Sequence, residues 1–210
     1  MSTVDKKRGR RGPLLLAAAS LTLSLVGCGA PAPPPVSPPP AREQQLVTPP
    51  ADGQAVAAMP KSDPVSVDIP KIGAHSTLIP LGLNLDNTVQ VPPVTQPMQA
   101  GWYSYSPTPG EIGPAVVLGH VDGNKKAGIF YRLKEMAPGD DVEIARKDGS
   151  TARFVVTKVD EVPKDVFPTP SVYDNTPDPE LRLITCGGVF DHQSHNYLDN
   201  VIVYAKLEKS

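Results

Sequence analysis

The sequence contains little cysteine. Its 210 residues include two cysteines, Cys28 and Cys186, and Cys28 lies in an N-terminal segment with the character of an export signal. The folded part of the chain then holds a single thiol, which excludes a structural disulfide within it. Cys186 ends a short apolar run at 181–185 and is followed at once by two glycines. A thiol at a strand end beside glycines is poorly placed as core filler, so we interpret it as a reactive group.

A long block of charge of one sign is also missing. The formal net charge is −2, from 20 basic and 22 acidic residues, and the one basic cluster lies within the first dozen positions. A nucleic-acid-binding surface would need a basic patch on the folded part of the chain. Nucleic acid is therefore not expected as a partner.

The N-terminal apolar run is short. It covers 14–26 and follows the basic positions 6–11, whereas a membrane-spanning helix needs about 20 apolar residues. Such a run is typical of the hydrophobic region of an export signal. Leu25-Val26-Gly27-Cys28 resembles a bacterial lipobox, in which the cysteine is lipidated and becomes the new N-terminus. We expect residues 1–28 to be this signal and a lipid on Cys28 to anchor the protein to the outer face of a membrane, with an uncleaved signal anchor as the alternative.

Proline is abundant but concentrated in one segment. Ten of the 26 prolines lie between Pro31 and Pro60, among residues with almost no large apolar side chain. Such a segment cannot bury enough surface to offset its ordering entropy, and its prolines favour an extended polyproline II conformation. We expect residues 29–61 to form a disordered stalk and residues 62–208 to form the folded domain.

Long amphipathic helices are absent from the predicted domain. Short β-branched runs alternate there with turn residues, and only 129–136 and 163–167 are candidates for brief helices. A parallel α/β sheet is therefore disfavoured, and an all-β barrel or sandwich is favoured. A hairpin turn at 147–150 is the strongest local signal. The predicted strands are 65–69, 77–83, 115–120, 141–145, 152–159, 181–185 and 200–206.

A second reactive side chain follows another predicted strand. His120 ends the run 115–119, 66 residues before Cys186. A free thiol has a pKa of about 8.5, so a cysteine nucleophile needs a nearby cation or imidazole. His120 could stabilise the thiolate, protonate a leaving amine and later deprotonate the incoming nucleophile. The backbone N–H of Gly187 could face a developing oxyanion. The alternative is a buried cysteine and an unrelated turn histidine.

Both strand ends resemble motifs of one enzyme family. Thr185-Cys186, preceded by Leu-Arg-Leu-Ile, is similar to the Thr-Leu-x-Thr-Cys signature of sortases, and Leu118-Gly119-His120-Val121-Asp122 resembles their histidine motif. The resemblance extends over about 64–207. Segments similar to the actinobacterial class F members lie at 129–133, 138–140 and 197–204.

This resemblance implies a sortase-like eight-stranded β-barrel with short helices in its loops. It also implies a transpeptidase without a cofactor: the cysteine attacks the Thr–Gly bond of a Leu-Pro-x-Thr-Gly-like sorting signal in a protein substrate. The resulting thioacyl enzyme passes its acyl group to an amine, such as a peptidoglycan precursor, or to water.

One residue of the family pattern is missing. Sortases normally carry an arginine after the cysteine that holds the substrate and stabilises the oxyanion, but no arginine follows Cys186, and Leu198 occupies the expected place. Arg182 does not match the family motif, although it shares strand parity with Cys186 and could bind the oxyanion or substrate. His195 or backbone donors are further substitutes.

The leading hypothesis is an exported, monomeric, membrane-tethered cysteine transpeptidase of the class F sortase type. The missing arginine supports a non-catalytic sortase-fold lipoprotein that binds peptide or cell-wall ligands. A cross-linking L,D-transpeptidase is disfavoured because His120 is distant from Cys186 in sequence. A zinc hydrolase using His192, His195 and Cys186 is the weakest alternative, since zinc usually needs three or four ligands and Cys186 already has a role; no metal is predicted.

Overall fold

The computed structural model of the protein describes residues 56–209. The predicted signal at 1–28, the lipidation site Cys28 and the segment 29–55 of the predicted stalk lie outside the described residues. Ten strands account for most of the regular structure. They are β1 (Pro64–Ile69), β2 (Ala74–Leu81), β3 (Ala100–Tyr103), β4 (Gly113–Gly119), β5 (Asp122–Gly123), β6 (Lys126–Ala127), β7 (Asp141–Arg146), β8 (Thr151–Pro163), β9 (Pro179–Asp191) and β10 (Asn196–Leu207).

Helical structure is confined to the connections. The single α-helix, α1 (Thr169–Tyr173), has five residues among those described, and 3-10 turns lie at Pro70–Ile72, Leu133–Glu135 and Lys164–Val166. The two brief helices predicted at 129–136 and 163–167 are thus shorter than expected, and α1 was not predicted. Within residues 56–209, no helix has the length and apolar character needed to cross a membrane.

Eight strands close into a barrel in the order β1-β2-β3-β4-β9-β10-β8-β7. The neighbours pair antiparallel except for two parallel pairs, β2 with β3 and β4 with β9. This topology confirms the predicted all-β, eight-stranded, sortase-like barrel. The predicted hairpin is present as well, because β7 and β8 pair on either side of a turn in which Gly149 has a φ of 86°.

Strand β3 is the barrel strand that sequence analysis missed. Its four residues include Gly101 and lie far from any run of alternating apolar residues. A short strand of this kind is stabilised by its neighbours rather than by its own propensity. A Cβ on Gly101 would lie 2.6 Å from the Leu81 side chain, so the glycine allows β2 and β3 to approach each other.

Alternation along β9 decides which side chains enter the barrel. Leu181 and Leu183 are fully buried in the interior core, whereas Ile184 belongs to a second apolar cluster that includes Val172 of α1. Because successive side chains of a strand point to opposite faces, Cys186 shares the outer face with Ile184. The thiol therefore lies on the outside of the barrel wall.

The chain just before β1 is already attached to the barrel. The Met59 N–H donates a hydrogen bond to the Gly110 carbonyl at 2.8 Å, and Arg146 donates to the Pro60 carbonyl. Val56 and Met59 are partly buried against the interior core. Packing of the domain thus begins several residues before the predicted boundary at residue 62.

A bulge interrupts the pairing of β9 with β10 directly after Gly187, one residue beyond Cys186. Asp199 pairs with Gly187 and Tyr197 with Phe190, so β9 holds one extra residue in this interval. Gly188 lies in the bulge with a φ of 72°, which is a left-handed conformation that costs glycine little. A Cβ at Gly188 would overlap the Asp199 carboxylate. Both the conformation and the space therefore require glycine here.

Replacing Gly188 by alanine should destabilise the barrel more than the same change at Gly73. Gly73 has a similar φ of 64°, but a Cβ there would meet nothing within 4 Å. Both variants carry the cost of a left-handed alanine, about 1–2 kcal/mol, and only Gly188→Ala adds the overlap with Asp199. Chemical denaturation of the two variants and the parent protein measures the difference. Equal losses in unfolding free energy would show that the bulge relaxes freely around a side chain.

Candidate active site

The two strand-end residues predicted to react lie side by side. Strands β4 and β9 run parallel, and Leu118 pairs with Ile184. Continuing this register by two residues brings His120 next to Cys186. Both side chains line a cavity of about 150 Å³. The structure therefore brings together residues that are 66 positions apart in the sequence, while their catalytic role stays a prediction.

The His120 ring is oriented by a backbone carbonyl. Its Nε2 lies 2.6 Å from the carbonyl oxygen of Pro92, in the connection between β2 and β3. A carbonyl oxygen can only accept, so Nε2 carries a proton and donates. The Phe130 N–H also donates to the His120 carbonyl at 3.0 Å, which fixes the backbone of this residue. Nδ1 is consequently the ring nitrogen left to exchange a proton.

Cys186 is half-buried and contacts a lysine that sequence analysis did not identify. The Lys164 Nζ lies 3.6 Å from the Cys186 Sγ, and the same nitrogen donates to the Asn196 Oδ1 at 2.7 Å. Lys164 begins the 3-10 turn that follows β8, and Asn196 begins β10. A lysine in a turn flanked by prolines has no distinctive motif, so only the pairing of β8 with β10 reveals its position.

A second cavity, of about 280 Å³, borders Cys186 on its other side. Gly187 and Gly188 lie along it with the half-buried sulfur, and Glu161 and Tyr197 give it polar edges. Thr185 lines both cavities, and its buried hydroxyl has no hydrogen-bond partner among the described residues. Gly187 is thus beside the sulfur, as expected, and a Cβ on it would lie 2.7 Å from Val201. Its proposed oxyanion contact stays a prediction.

A short hydrogen bond joins the histidine loop to the strand opposite. The Tyr197 hydroxyl of β10 donates to the Asp122 Oδ2 at 2.5 Å. This bond to Asp122, followed by partial burial and the negative charge of Asp122, raises the pKa of Tyr197 to about 12. The phenol therefore keeps its proton at neutral and mildly alkaline pH. Asp122 is occupied by this tyrosine, two residues after His120 in the chain.

Arg182 is placed away from the sulfur. Its guanidinium donates to the Glu180 carboxylate at 2.7 Å and to the Ser171 carbonyl at 3.2 Å, and it lies 4.7 Å from the centroid of the Tyr204 ring. Four residues of strand separate its Cα from that of Cys186, which is about 13 Å. These contacts favour a structural role, so substrate binding by Arg182 stays a prediction without a supporting contact.

The remaining predicted candidates are on the surface. His192 and His195 are exposed in the turn between β9 and β10, and His192 packs edge-on against Phe190 with ring centroids 5.1 Å apart. In residues 56–209, no three His, Cys, Asp or Glu side chains are grouped as metal ligands. Leu198 is 51% exposed and lines a surface cavity together with Lys164.

Solved structures of similar fold come from several sortase classes. A lid mutant of sortase A from Corynebacterium diphtheriae is 21% identical, with a TM-score of 0.55 and coverage of 72% of this chain and 73% of that one. A sortase D5 transpeptidase from Clostridium perfringens is 19% identical, with a TM-score of 0.51 and coverage of 73% and 82%. Sortase C-1 from Actinomyces oris is 19% identical, with a TM-score of 0.55 and coverage of 70% and 76%.

These identities are low, so the similarities establish the fold and leave the class F prediction open. No curated protein matches the sequence. The sequence does match the family model of the sortase domain over residues 67–208, most of the chain and nearly all of the barrel. This match, with the shared barrel fold, shows that the chain belongs to the sortase family, whose members are generally cysteine transpeptidases.

Proposed function

We propose that the protein is a cysteine transpeptidase that cleaves the Thr–Gly bond of a Leu-Pro-x-Thr-Gly-like sorting signal through Cys186. The observation that carries this proposal is the cavity shared by His120, which directly follows β4, and Cys186, which lies within the parallel strand β9. A sulfur nucleophile and an imidazole at one site are the minimum for acyl transfer through a thioester. Membership of the family indicates the class of reaction, and the thiol and imidazole that line the cavity are the two groups proposed to perform it.

Acylation begins when the Cys186 thiolate, whose proton has passed to His120, attacks the threonine carbonyl carbon and the carbonyl electron pair moves onto oxygen. The tetrahedral intermediate collapses to a thioester as the bond to the glycine nitrogen breaks. His120 gives this nitrogen a proton, and the hydrogen bond of Nε2 to Pro92 assigns the transfer to Nδ1. Neutral His120 then accepts a proton from the incoming amine or water as this nucleophile bonds to the thioester carbon. The carbon–sulfur bond breaks and releases the Cys186 thiolate beside the protonated imidazole.

The cavities on the two sides of Cys186 differ in character and suit different parts of the substrate. The smaller one, with His120, has apolar walls from Val91, Pro92 and Ile184, which suits the leucine and proline of a sorting signal. The larger one has glycine backbone and polar edges and suits the glycine side of the scissile bond or the acceptor amine. Thr185 borders both cavities, and its hydroxyl is buried without a hydrogen-bond partner among the described residues.

The motif similarities at 129–133, 138–140 and 197–204 support assignment to class F. The lipobox-like residues 25–28 support a lipid on Cys28, which tethers the enzyme through a proline-rich stalk to the outer face of the bacterial cell membrane. We expect the enzyme to be a monomer. The acceptor is an amine such as a peptidoglycan precursor, or water. The second candidate is a non-catalytic lipoprotein that binds peptide or cell-wall ligands, favoured by the lack of any arginine after Cys186.

Incubation of the protein with a Leu-Pro-x-Thr-Gly peptide should give a thioacyl adduct on Cys186 that mass spectrometry detects. Replacing Cys186 by alanine should abolish the adduct, and replacing His120 by alanine should slow its formation by roughly 10²–10⁴-fold, the usual contribution of a positioned acid and base. His75→Ala is the matched control, because that histidine is exposed and pairs with Asp68 on the surface, so the rate should be unchanged.

Two results together would favour the binding-module alternative. One is an unmodified Cys186 after long exposure to a range of sorting-signal peptides. The other is a thiol that reacts with an alkylating reagent no faster than free cysteine.

Replacing Cys28 by alanine should release the protein from the membrane fraction, since lipidation at this position is the proposed attachment. Immunoblotting of membrane and soluble fractions after cell lysis measures the change. Cys186→Ala is the control, because it removes the other cysteine and should leave the protein with the membranes. Unchanged partitioning of the Cys28 variant would refute lipid anchoring and favour an uncleaved signal anchor.

A further inference from the structure

We propose that Lys164 is a catalytic residue that supplies, from the turn after β8, the positive charge that is missing at Leu198 of β10. The inference rests on the proposed function, because it assigns a role in the same acyl transfer. It starts from the contact between the Lys164 Nζ and the Cys186 Sγ at 3.6 Å. Lys164 thus touches the atom that forms the thioester.

The path of the chain explains how this lysine reaches the sulfur. Strand β8 ends at Pro163, which pairs with Asp199 of β10, so the turn that begins with Lys164 lies against the first residues of β10. Lys164 and Leu198 line the same surface cavity, of about 540 Å³. Leu198 occupies the position at which the family pattern predicts an arginine. The Lys164 ammonium group therefore places a positive charge in this region, and it comes from the turn after the neighbouring strand β8.

The charge of Lys164 is free to act on the sulfur. Its Nζ is held by a neutral group, the Asn196 side-chain carbonyl, at 2.7 Å. Among the ion pairs of residues 56–209, none involves Lys164. Arg182, by contrast, is paired with Glu180. The acidic side chains around the lysine and the sulfur form no ion pair with this lysine: Glu161 borders the larger cavity, and Asp165 and Asp199 line the surface cavity with Lys164.

An ammonium group at this place can serve two successive stages of acylation. It carries three N–H donors, and one of them is used by Asn196. Before the attack, a second donor faces the sulfur, and the positive charge attracts a thiolate. After the carbon–sulfur bond forms, the negative charge develops on the oxygen of the carbon attached to that sulfur, within reach of the remaining donor.

Lys164 keeps its proton throughout this sequence. The proton that the leaving amine needs comes from His120, so the lysine contributes charge and hydrogen bonds while the histidine exchanges protons. Asn196 is a positioning residue, since it holds the ammonium group without touching the sulfur. A lysine ammonium is a compact point charge and lacks the planar fork of an arginine, so it can bind one oxygen but cannot clamp two in parallel.

The test compares Lys164→Met with Lys164→Arg. Methionine keeps a long unbranched side chain without charge, and arginine keeps the charge. We expect Lys164→Met to slow the formation of the Cys186 acyl adduct by roughly 10²-fold or more, as the loss of one oxyanion donor does, and Lys164→Arg to recover at least part of that loss. Lys158→Met is the matched control, because Lys158 pairs with Asp160 on the surface and should leave the rate unchanged.

A second readout does not depend on the sorting signal. The rate of Cys186 alkylation by iodoacetamide, followed across pH in the full chain with Cys28 replaced by serine, reports thiolate formation directly. We expect the rise in this rate to move to higher pH in Lys164→Met and to stay near that of the parent in Lys164→Arg. A merely structural lysine would leave this profile unmoved, and Asn196→Ala should shift it in the same direction by less.

The acylation and alkylation measurements distinguish failure of the proposed function from failure of the proposed role of Lys164. If no peptide acylates the parent protein, the proposed function fails, and the alkylation profile still decides whether Lys164 acts on the sulfur. Acylation and alkylation of Lys164→Met that match the parent at every pH would overturn the role of Lys164, whether or not the protein is a transpeptidase. A thermal melt of each variant shows whether a lower rate comes from unfolding. If Lys164→Met is unfolded, the alkylation profiles of Lys164→Arg and Asn196→Ala are compared with that of the parent instead.

Discussion

Parallel pairing of β4 with β9 is the constraint on which the candidate site depends. Parallel neighbours end at the same edge of a sheet, so His120 after β4 and Cys186 in β9 meet although many residues separate them in the chain. An antiparallel pair would place the ends of the two strands at opposite edges. The rest of the site is built around this pair: the connection that contains Pro92 orients the imidazole, and the turn that contains Lys164 approaches the sulfur.

Much of this arrangement could be predicted from local sequence. Apolar runs that end in a histidine or a cysteine beside glycines predict β4 and β9 and single out the two residues that share a cavity, because glycine indicates close packing or unusual backbone conformation. The catalytic role of these two residues stays a prediction. The bulge at Gly188 agrees with this interpretation. The barrel followed from the number of short strands and from the family motifs, and the structure confirms it.

Other features could not be predicted because they depend on contacts between distant segments. The sequence of β3 has little β-strand propensity of its own, and this strand forms by pairing with the longer strands β2 and β4. Alternation along the strand placed Arg182 on the same face as Cys186. The alternation does not determine which partner a long side chain reaches, and the Arg182 guanidinium donates to the Glu180 carboxylate. Lys164 lies in a turn without a motif, and its distance from the sulfur is set by the pairing of β8 with β10.

The outward position of Cys186 sets what kind of molecule can reach the thiol. The barrel interior is filled by side chains such as Phe130, Phe154 and Leu183 and offers no passage. Because the sulfur lies on the outer wall, a polypeptide can lie across it with both of its ends extending into solvent. In the proposed reaction, the protein attached to the peptide can therefore be larger than the barrel itself.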